Sequence, residues 1–287
     1  MKYAWIAKQR TWSVQKMCRM LEVSPSGYYE YCQRGRSAHS AMDEALKDEI
    51  QRLHEESHGA YGSPRIHAAL HAEGKSHSRK RVARLMQEEG LQGRQKKKFI
   101  ATTQANERAM PAPNVLNQEF HVAVPDQVWA SDITYIRTAE GFLYLAVVLD
   151  LFSRKVIGWA MGAAITATLT REALRMALLY RQPTSQLIVH SDRGSQYTDS
   201  GFRQDLLEIG ATQSMSRRGN VWDNAVLESF FSALKRECLH GRLPPSIAHA
   251  KQEVFRYIET FYNRQRLHST LGYLSPHQFE QQHRLTH

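Results

Sequence analysis

From residue 126 onward, the spacing of apolar side chains alternates between the strand period of two and the helix period of about 3.6. That order restricts the fold more than any other feature of the chain. VWASDITYIRT (128–138) alternates and is rich in β formers, GFLYLAVVLD (141–150) follows a turn at Glu140 and Gly141, and KVIGWAM (155–161) makes a third such run. TATLTREALRMALLYR (166–181) then sets Leu169, Ala173, Leu174, Ala177 and Leu178 at helical spacing. QLIVHSD (186–192) reads as a fourth strand, GFRQDLLEIG (201–210) as a helix closed by Gly210, and ATQSM (211–215) as a fifth strand. AVLESFFSALKREC (225–238) is an amphipathic helix with Asp223 or Asn224 as its cap. The expectation is an α/β fold: a mixed five-stranded sheet flanked by helices.

The fourth strand stops abruptly after Ile188 and Val189, on His190, Ser191, Asp192, Arg193 and Gly194. In α/β sheets ligands gather at the carboxyl ends of strands, so Asp192 is a site candidate, although an Asp there also serves as a turn former or helix cap. On this map Asp132 lies inside the first strand, Asp192 ends the fourth, and Glu228 sits in the first turn of the late helix. Three converging carboxylates suit Mg²⁺, which takes hard oxygen ligands at roughly 2.0–2.1 Å, and a pair of such ions serves phosphoryl transfer. Asp150 also follows an apolar strand. With a hairpin about Gly141, however, Asp132 pairs near Ala146, leaving Asp150 four residues and roughly 13 Å away, where it begins a turn to Arg154.

The upstream part has a different character. Residues 1–125 hold 20 basic against 13 acidic side chains and residues 126–287 hold 18 against 15, so most of the net +10 lies upstream and favours an anionic partner. Pro111, Pro113 and Pro125 interrupt any helix, which makes 99–125 a linker between a helical region, 1–98, and a core, 126–240. Two helix-turn-helix candidates lie within 1–98. SVQKMCRMLEVSPSGYYEY joins a helix near Val14–Leu21 to one capped by Ser24 with Pro25 at its first position. SPRIHAALHAEGKSHSRKRVARLMQEEG starts a helix at Ser63 and Pro64, ends it at Gly74, and caps a second at Ser78 that Gly90 closes. That second helix carries Arg79, Lys80, Arg81 and Arg84 beside apolar Val82, Leu85 and Met86, a basic face for phosphates or for solvent. Lys96, Lys97 and Lys98 follow, to track a DNA backbone or to solubilise a linker.

Other chemistries find little support. Cys18, Cys32 and Cys238 are too dispersed for a metal clip and odd in number, which suits a reducing cytosol. His54 with His58 and His67 with His71 have helical spacing but no thiolate partner, so zinc is not expected. No apolar run approaches 18 residues, and the expectation is a soluble, cytoplasmic protein. A tail, 241–287, starts a helix near Ser246 and bears Phe255, Tyr257, Phe261 and Tyr262, a stripe read as core rather than base-stacking surface.

The motifs in series carry a specific resemblance. Thirty-five residues separate Asp192 from Glu228. That spacing, with WASDITYI, HSDRGSQYTD, SMSRRGNVWDNAVLESFFSALKREC, YNRQRLHSTLGYLSPHQF and the upstream YGSPRIHAAL, resembles the second-reading-frame transposases of the family founded on insertion sequence three, within the DDE integrase and transposase superfamily. The resemblance implies a ribonuclease-H-like core, with Asp132, Asp192 and Glu228 as catalytic ligands of two Mg²⁺ ions, for which Mn²⁺ substitutes. It also implies strand cleavage and transfer on double-stranded DNA, with Lys235, seven residues after Glu228, as a DNA contact and Arg217 and Arg218 as loop contacts to phosphate. A homo-oligomer on DNA is implied, and an upstream-frame product as fusion or partner, because the chain shows no heptad run of its own. Two alternatives stay open at this stage: a non-catalytic DNA-binding regulator, and a nuclease of the same fold that cuts without joining.

Overall fold

The computed structural model describes residues 2–9, 11–33, 38–94, 111–183, 186–218, 220–239 and 242–286. Three short helices come first: α1 (Lys2–Lys8), α2 (Val14–Met20) and α3 (Pro25–Gln33). Ser13 caps α2 by accepting from the Lys16 amide, and Ser24 accepts from the Gly27 amide at the start of α3. Their small core comprises Ile6, Met17, Cys18 and Tyr28 and is separate from the rest. Next come α4 (Ala38–Glu56), α5 (Ser63–Ala72) and α6 (Arg79–Glu88). Gly62 caps α5, leaving Ser63 and Pro64 in its first turn, while the Ser78 hydroxyl accepts from the Arg81 amide at the start of α6. Gly74 and Gly90 adopt the left-handed conformation just past the two helix ends, as the sequence pattern requires.

The sheet contains β1 (Val128–Thr138), β2 (Gly141–Asp150), β3 (Val156–Gly162), β4 (Ile188–Ser191) and β5 (Thr212–Met215), in the order β3-β2-β1-β4-β5. β1, β2 and β3 are antiparallel neighbours, and β4 and β5 run parallel to β1. Between them lie α7 (Ala167–Tyr180), the single turn α8 (Ser195–Thr198) and α9 (Ser200–Glu208). After β5 come α10 (Ala225–Glu237), α11 (Ile247–Arg256), one π-helical turn (Tyr257–Tyr262) and α12 (Pro276–Thr286).

Two apolar layers enclose the sheet. On one face, Trp129, Ala146, Val148 and Ile157 pack against Leu169, Ala173, Leu174 and Ala177 of α7 and Phe202 and Leu206 of α9. Gly158 of β3 lets α7 approach closely, since a Cβ there would stand 2.2 Å from the Ala173 carbonyl. On the other face, Val128, Ala130, Ile136 and Leu145 pack against Leu227, Phe230, Phe231 and Leu234 of α10 and against Ala250 and Val254 of α11. That second layer also takes in Ile50, Ile66, Leu70, Val82 and Leu85, so α4–α6 share a continuous core with the sheet while α1–α3 do not.

The β1–β2 hairpin differs by one residue from the sequence reading. Thr138 pairs with Gly141, leaving Ala139 and Glu140 as the turn, so Asp132 faces Val147 rather than Ala146. Asp150 is thus three positions away along β2, about 10 Å at strand rise. Its buried carboxylate accepts from the Phe152 amide and opens the turn that ends at Arg154, whose φ is +59°.

Candidate active site

Parallel pairing brings the two aspartates together. Ala130 pairs with His190 and Ser131 with Ser191, so Asp132 and Asp192 stand at the next level of adjacent strands, which run about 4.8 Å apart. β4 ends there, and the Gly194 amide donates to Asp192 Oδ1 (2.9 Å), so Asp192 also shapes the turn. Beneath it, the His190 ring is buried between Ser214 Oγ (2.9 Å from Nδ1) and Ser216 Oγ (3.2 Å from Nε2). Burial lowers its pKa to about 4, which keeps it a neutral bridge between β4 and β5.

The third carboxylate arrives on α10. Asn224, just before the helix, is buried and makes no capping bond. Its side-chain amide instead donates to Asp132 Oδ2 (2.8 Å), while the Ile133 amide donates to Oδ1 (2.7 Å). Asn224 therefore ties the start of α10 to Asp132, and Glu228 lies one turn further on, exposed at the surface. The loop before the helix is held by Asp223, which is fully buried and accepts from the Arg217 amide, both arms of the Arg217 guanidinium, Asn114 and Gln118. These donors, Arg217 first among them, hold its carboxyl far below the ordinary range.

The electrostatics of the pocket are those of a site short of positive charge. Burial raises the pKa of Asp132 well above that of an ordinary carboxylate, and the charges of Asp192 and Glu228 add to the effect. Asp192 is raised by burial as well. Lys235 partly offsets this: burial lowers its own pKa, the charge of Asp132 works the other way, and its ammonium sits 4.6 Å from the centroid of the Tyr135 ring. Adjacent oxygen donors that repel one another suit a hard divalent cation, which would relieve both the repulsion and the desolvation. Among the described residues, no three His, Cys, Asp or Glu side chains already form a metal cage. The two aspartates are held by backbone and side-chain donors, whereas Glu228 is exposed on α10.

The remaining sequence candidates fall in different places. The Arg217 guanidinium is engaged by Asp223, and Arg218 is exposed in the same loop. Arg81 and Arg84 both pair with Asp43 of α4 (2.6 and 2.7 Å), and Arg84 also pairs with Glu88, so half of the basic face on α6 is neutralised within the fold. Arg79 and Lys80 are exposed in the first turn of α6. Lys96, Lys97 and Lys98 lie outside the described residues. His54 and His67 face the backbone carbonyls of Gln92 and His77.

Sequence reasoning left two features unassigned. The role of Asn224 was obscured because Asn at a helix start signals a cap. The YGSPRI and YNRQRLHSTLGY motifs turn out to be partners. Tyr61 Oη donates to the Gln265 carbonyl (3.1 Å) and accepts from the Leu267 amide (2.9 Å), and Arg65 Nε donates to the Leu267 carbonyl (3.0 Å). Arg94 reaches the Arg236 carbonyl at the end of α10 (2.9 Å).

Comparison with known proteins agrees with this architecture. Residues 123–221 and 209–276 match integrase core domain models, and residues 41–99 match an HTH-like domain model. The chain is 42% identical over 283 residues to the transposase InsF for insertion sequence IS3A of Escherichia coli, covering 98% of each chain. It is 43% identical over 267 residues to the insertion element IS600 uncharacterized 31 kDa protein of Shigella sonnei, covering 93% of this chain and 98% of that one. A simian T-cell lymphotropic virus intasome chain is a more distant likeness, with 16% identity, 80% of this chain and 74% of that one covered, and a TM-score of 0.46.

Proposed function

Since the chain belongs to the insertion-sequence transposase family that includes the InsF proteins, we propose that Asp132, Asp192 and Glu228 are the ligands with which this DDE transposase holds divalent metal and cuts and joins DNA strands. The observation that supports this reading is the shared level of Asp132 and Asp192 on parallel strands, with the start of α10 bonded to Asp132. We assign two Mg²⁺ ions to the site, with Mn²⁺ able to replace them. When bound, such a pair neutralises the attacking and leaving oxygens of an in-line displacement at phosphorus.

The protein's own part is positioning. Asp132 and Asp192 are fixed by backbone amides and by Asn224, so they present oxygens without first ordering a loop. Glu228 completes the set by a change of side-chain torsion. Lys235, beside Asp132, meets the phosphate of the DNA end; burial lowers its pKa, and the charge of Asp132 partly offsets that. Water attacking the first phosphodiester would free a 3′-hydroxyl; that hydroxyl would then attack a second phosphodiester and displace its 3′-oxygen, so one pocket serves both steps and no covalent protein intermediate is required.

Arg79 and Lys80 of the HTH-like region are the phosphate contacts we assign upstream, because Arg81 and Arg84 are held by Asp43. Assembly on DNA as a homo-oligomer, with an upstream-frame product as fusion or partner, completes the proposal. Among the described residues no helix is long and apolar enough to cross a membrane. The test is to incubate duplexes carrying the element ends with Mg²⁺ and compare the wild type with Glu228→Gln. Strand cutting and joining are expected from the wild type and lost in the variant; equal activity in both would reject the assignment.

A further inference from the structure

The sheet carries a second chemical feature beside the acidic pocket, on its opposite face. β4 pairs with β1 only from Val128 to Ser131, so from Asp132 onward that side of β1 has no strand neighbour among the described residues. Side chains alternate along a strand, so Tyr135 lies on the face away from Asp132. Tyr135 pairs directly with Tyr144, and Phe142 with Arg137, which puts all four side chains on one patch. The Tyr135 and Phe142 rings meet edge to face at 5.6 Å, and Phe142 and Tyr144 are 6.5 Å apart. Tyr135 and Phe142 are each 46% exposed, although β1 and β2 lie at the centre of the sheet.

Lys235 joins the two features. Its ammonium feels the charge of Asp132 on one face and sits over the Tyr135 ring from the other, so it occupies the open edge of β1. Exposed aromatic faces flanked by Lys235 and exposed Arg137 combine π-surface with cationic charge, the combination that recognises unpaired nucleic acid strands: rings take the bases and cations take the phosphates. A duplex could not use the rings, because its bases are stacked on one another.

We propose that Tyr135, supported by Phe142 and Tyr144, is a stacking platform for an unpaired base of the DNA strand whose phosphate Lys235 holds at the pocket. The inference rests on the function proposed above. Tyr135 lies three positions beyond Asp132, about 10 Å of strand, so the base in question lies within a nucleotide or two of the reacting phosphate. While no strand is bound, the Tyr135 ring holds the Lys235 ammonium beside the pocket.

The test uses the full chain and a duplex with a four-nucleotide overhang carrying 2-aminopurine, alongside a blunt duplex of the same sequence. The wild type is expected to quench the 2-aminopurine fluorescence and to prefer the overhang. Tyr135→Leu is expected to lose the quenching and to weaken overhang binding about 5- to 150-fold, well beyond its effect on the blunt duplex; Tyr135→Phe is expected to restore both. Phe142→Ser, at an exposed position, is a second variant expected to act in the same direction. Equal loss on the two duplexes, unchanged quenching, or a change in self-association on sedimentation would overturn the proposal, the last by giving the patch to a second copy of the chain. A wild type that cuts and joins element ends in an assay that Glu228→Gln fails, but that ignores the overhang, would refute this inference and leave the function standing.

Discussion

Arg266→Met is expected to be among the most destabilising single changes in the molecule. Glu237, at the end of α10, is 3% exposed and meets Arg266, itself 6% exposed, through two parallel bonds of 2.7 and 2.9 Å. Tyr257 Oη donates to the same carboxylate (2.9 Å), and Arg236 adds a contact at 3.1 Å. Burial alone would raise the Glu237 pKa, yet Arg266 overrides it and brings the value from 4.5 down to about 2. That difference corresponds to roughly 3 kcal/mol at neutral pH, at about 1.4 kcal/mol per unit. Removing one partner of a buried pair costs about 3–5 kcal/mol because a charge is stranded, and the two figures agree. At roughly 2–4 °C per kcal/mol, melting should fall by about 6–20 °C. The sign with pH follows. Glu237 is depressed in the folded state, so its contribution is full above its ordinary pKa and fades as pH falls towards 2; the gap between wild type and Arg266→Met should narrow on acidification. Glu237→Leu combined with Arg266→Met removes both charges and should recover much of the loss. Urea unfolding at pH 7 and pH 4 measures all of this. A cost below about 1 kcal/mol, or one that is the same at both pH values, would refute the reasoning.

Two other expectations concern the site and the DNA. Asn224→Ala removes a neutral donor from Asp132 and frees the start of α10, so the Mg²⁺ concentration for half-maximal cutting should rise about 10- to 100-fold, as for outer-shell partners of metal ligands, with little change in melting temperature. A fall in maximal rate at unchanged metal requirement would contradict that role. Ala substitution of both Arg79 and Lys80 should lessen the slope of log affinity against log salt by about 1.8 if both touch phosphates, whereas Arg81→Ala should leave the slope unchanged and lower stability through loss of Asp43; the reverse pattern would show that the Asp43 pairs open on binding.

Much of the core was legible because its signals are local. β1 and β2 coincide with the alternating runs at 128–138 and 141–150, and α10 with the amphipathic run that begins at Ala225. What failed was register: one residue in the choice of turn shifted every pairing across the hairpin, because turn geometry and not composition sets which residues face each other. The placement of cations failed for a related reason. Arg81 and Arg84 form a basic stripe in sequence, but their partner Asp43 lies about 40 residues upstream on another helix, and no period within α6 reveals it.

The tail shows how non-local packing turns an unassigned motif into part of the machinery. Its aromatic stripe at Tyr257, Phe261 and Tyr262 was expected in the core and lies there, whereas Phe255 is half exposed against Trp159. The π-helical turn at Tyr257–Tyr262 leads directly into Asn263, whose side chain bonds both the amide and the carbonyl of Val156 and so seals the edge strand β3. Three residues later, Arg266 locks Glu237, and the Gln265 and Leu267 backbone receives Tyr61 and Arg65 from the HTH-like region. The helix bearing Glu228 in its first turn is thus pinned in its last, where Lys235 and Glu237 lie, by a segment that also grips α5. A shift of α4–α6 would strain the bonds from Tyr61 and Arg65 to the Gln265 and Leu267 backbone, which flanks the Arg266 that holds the last turn of α10.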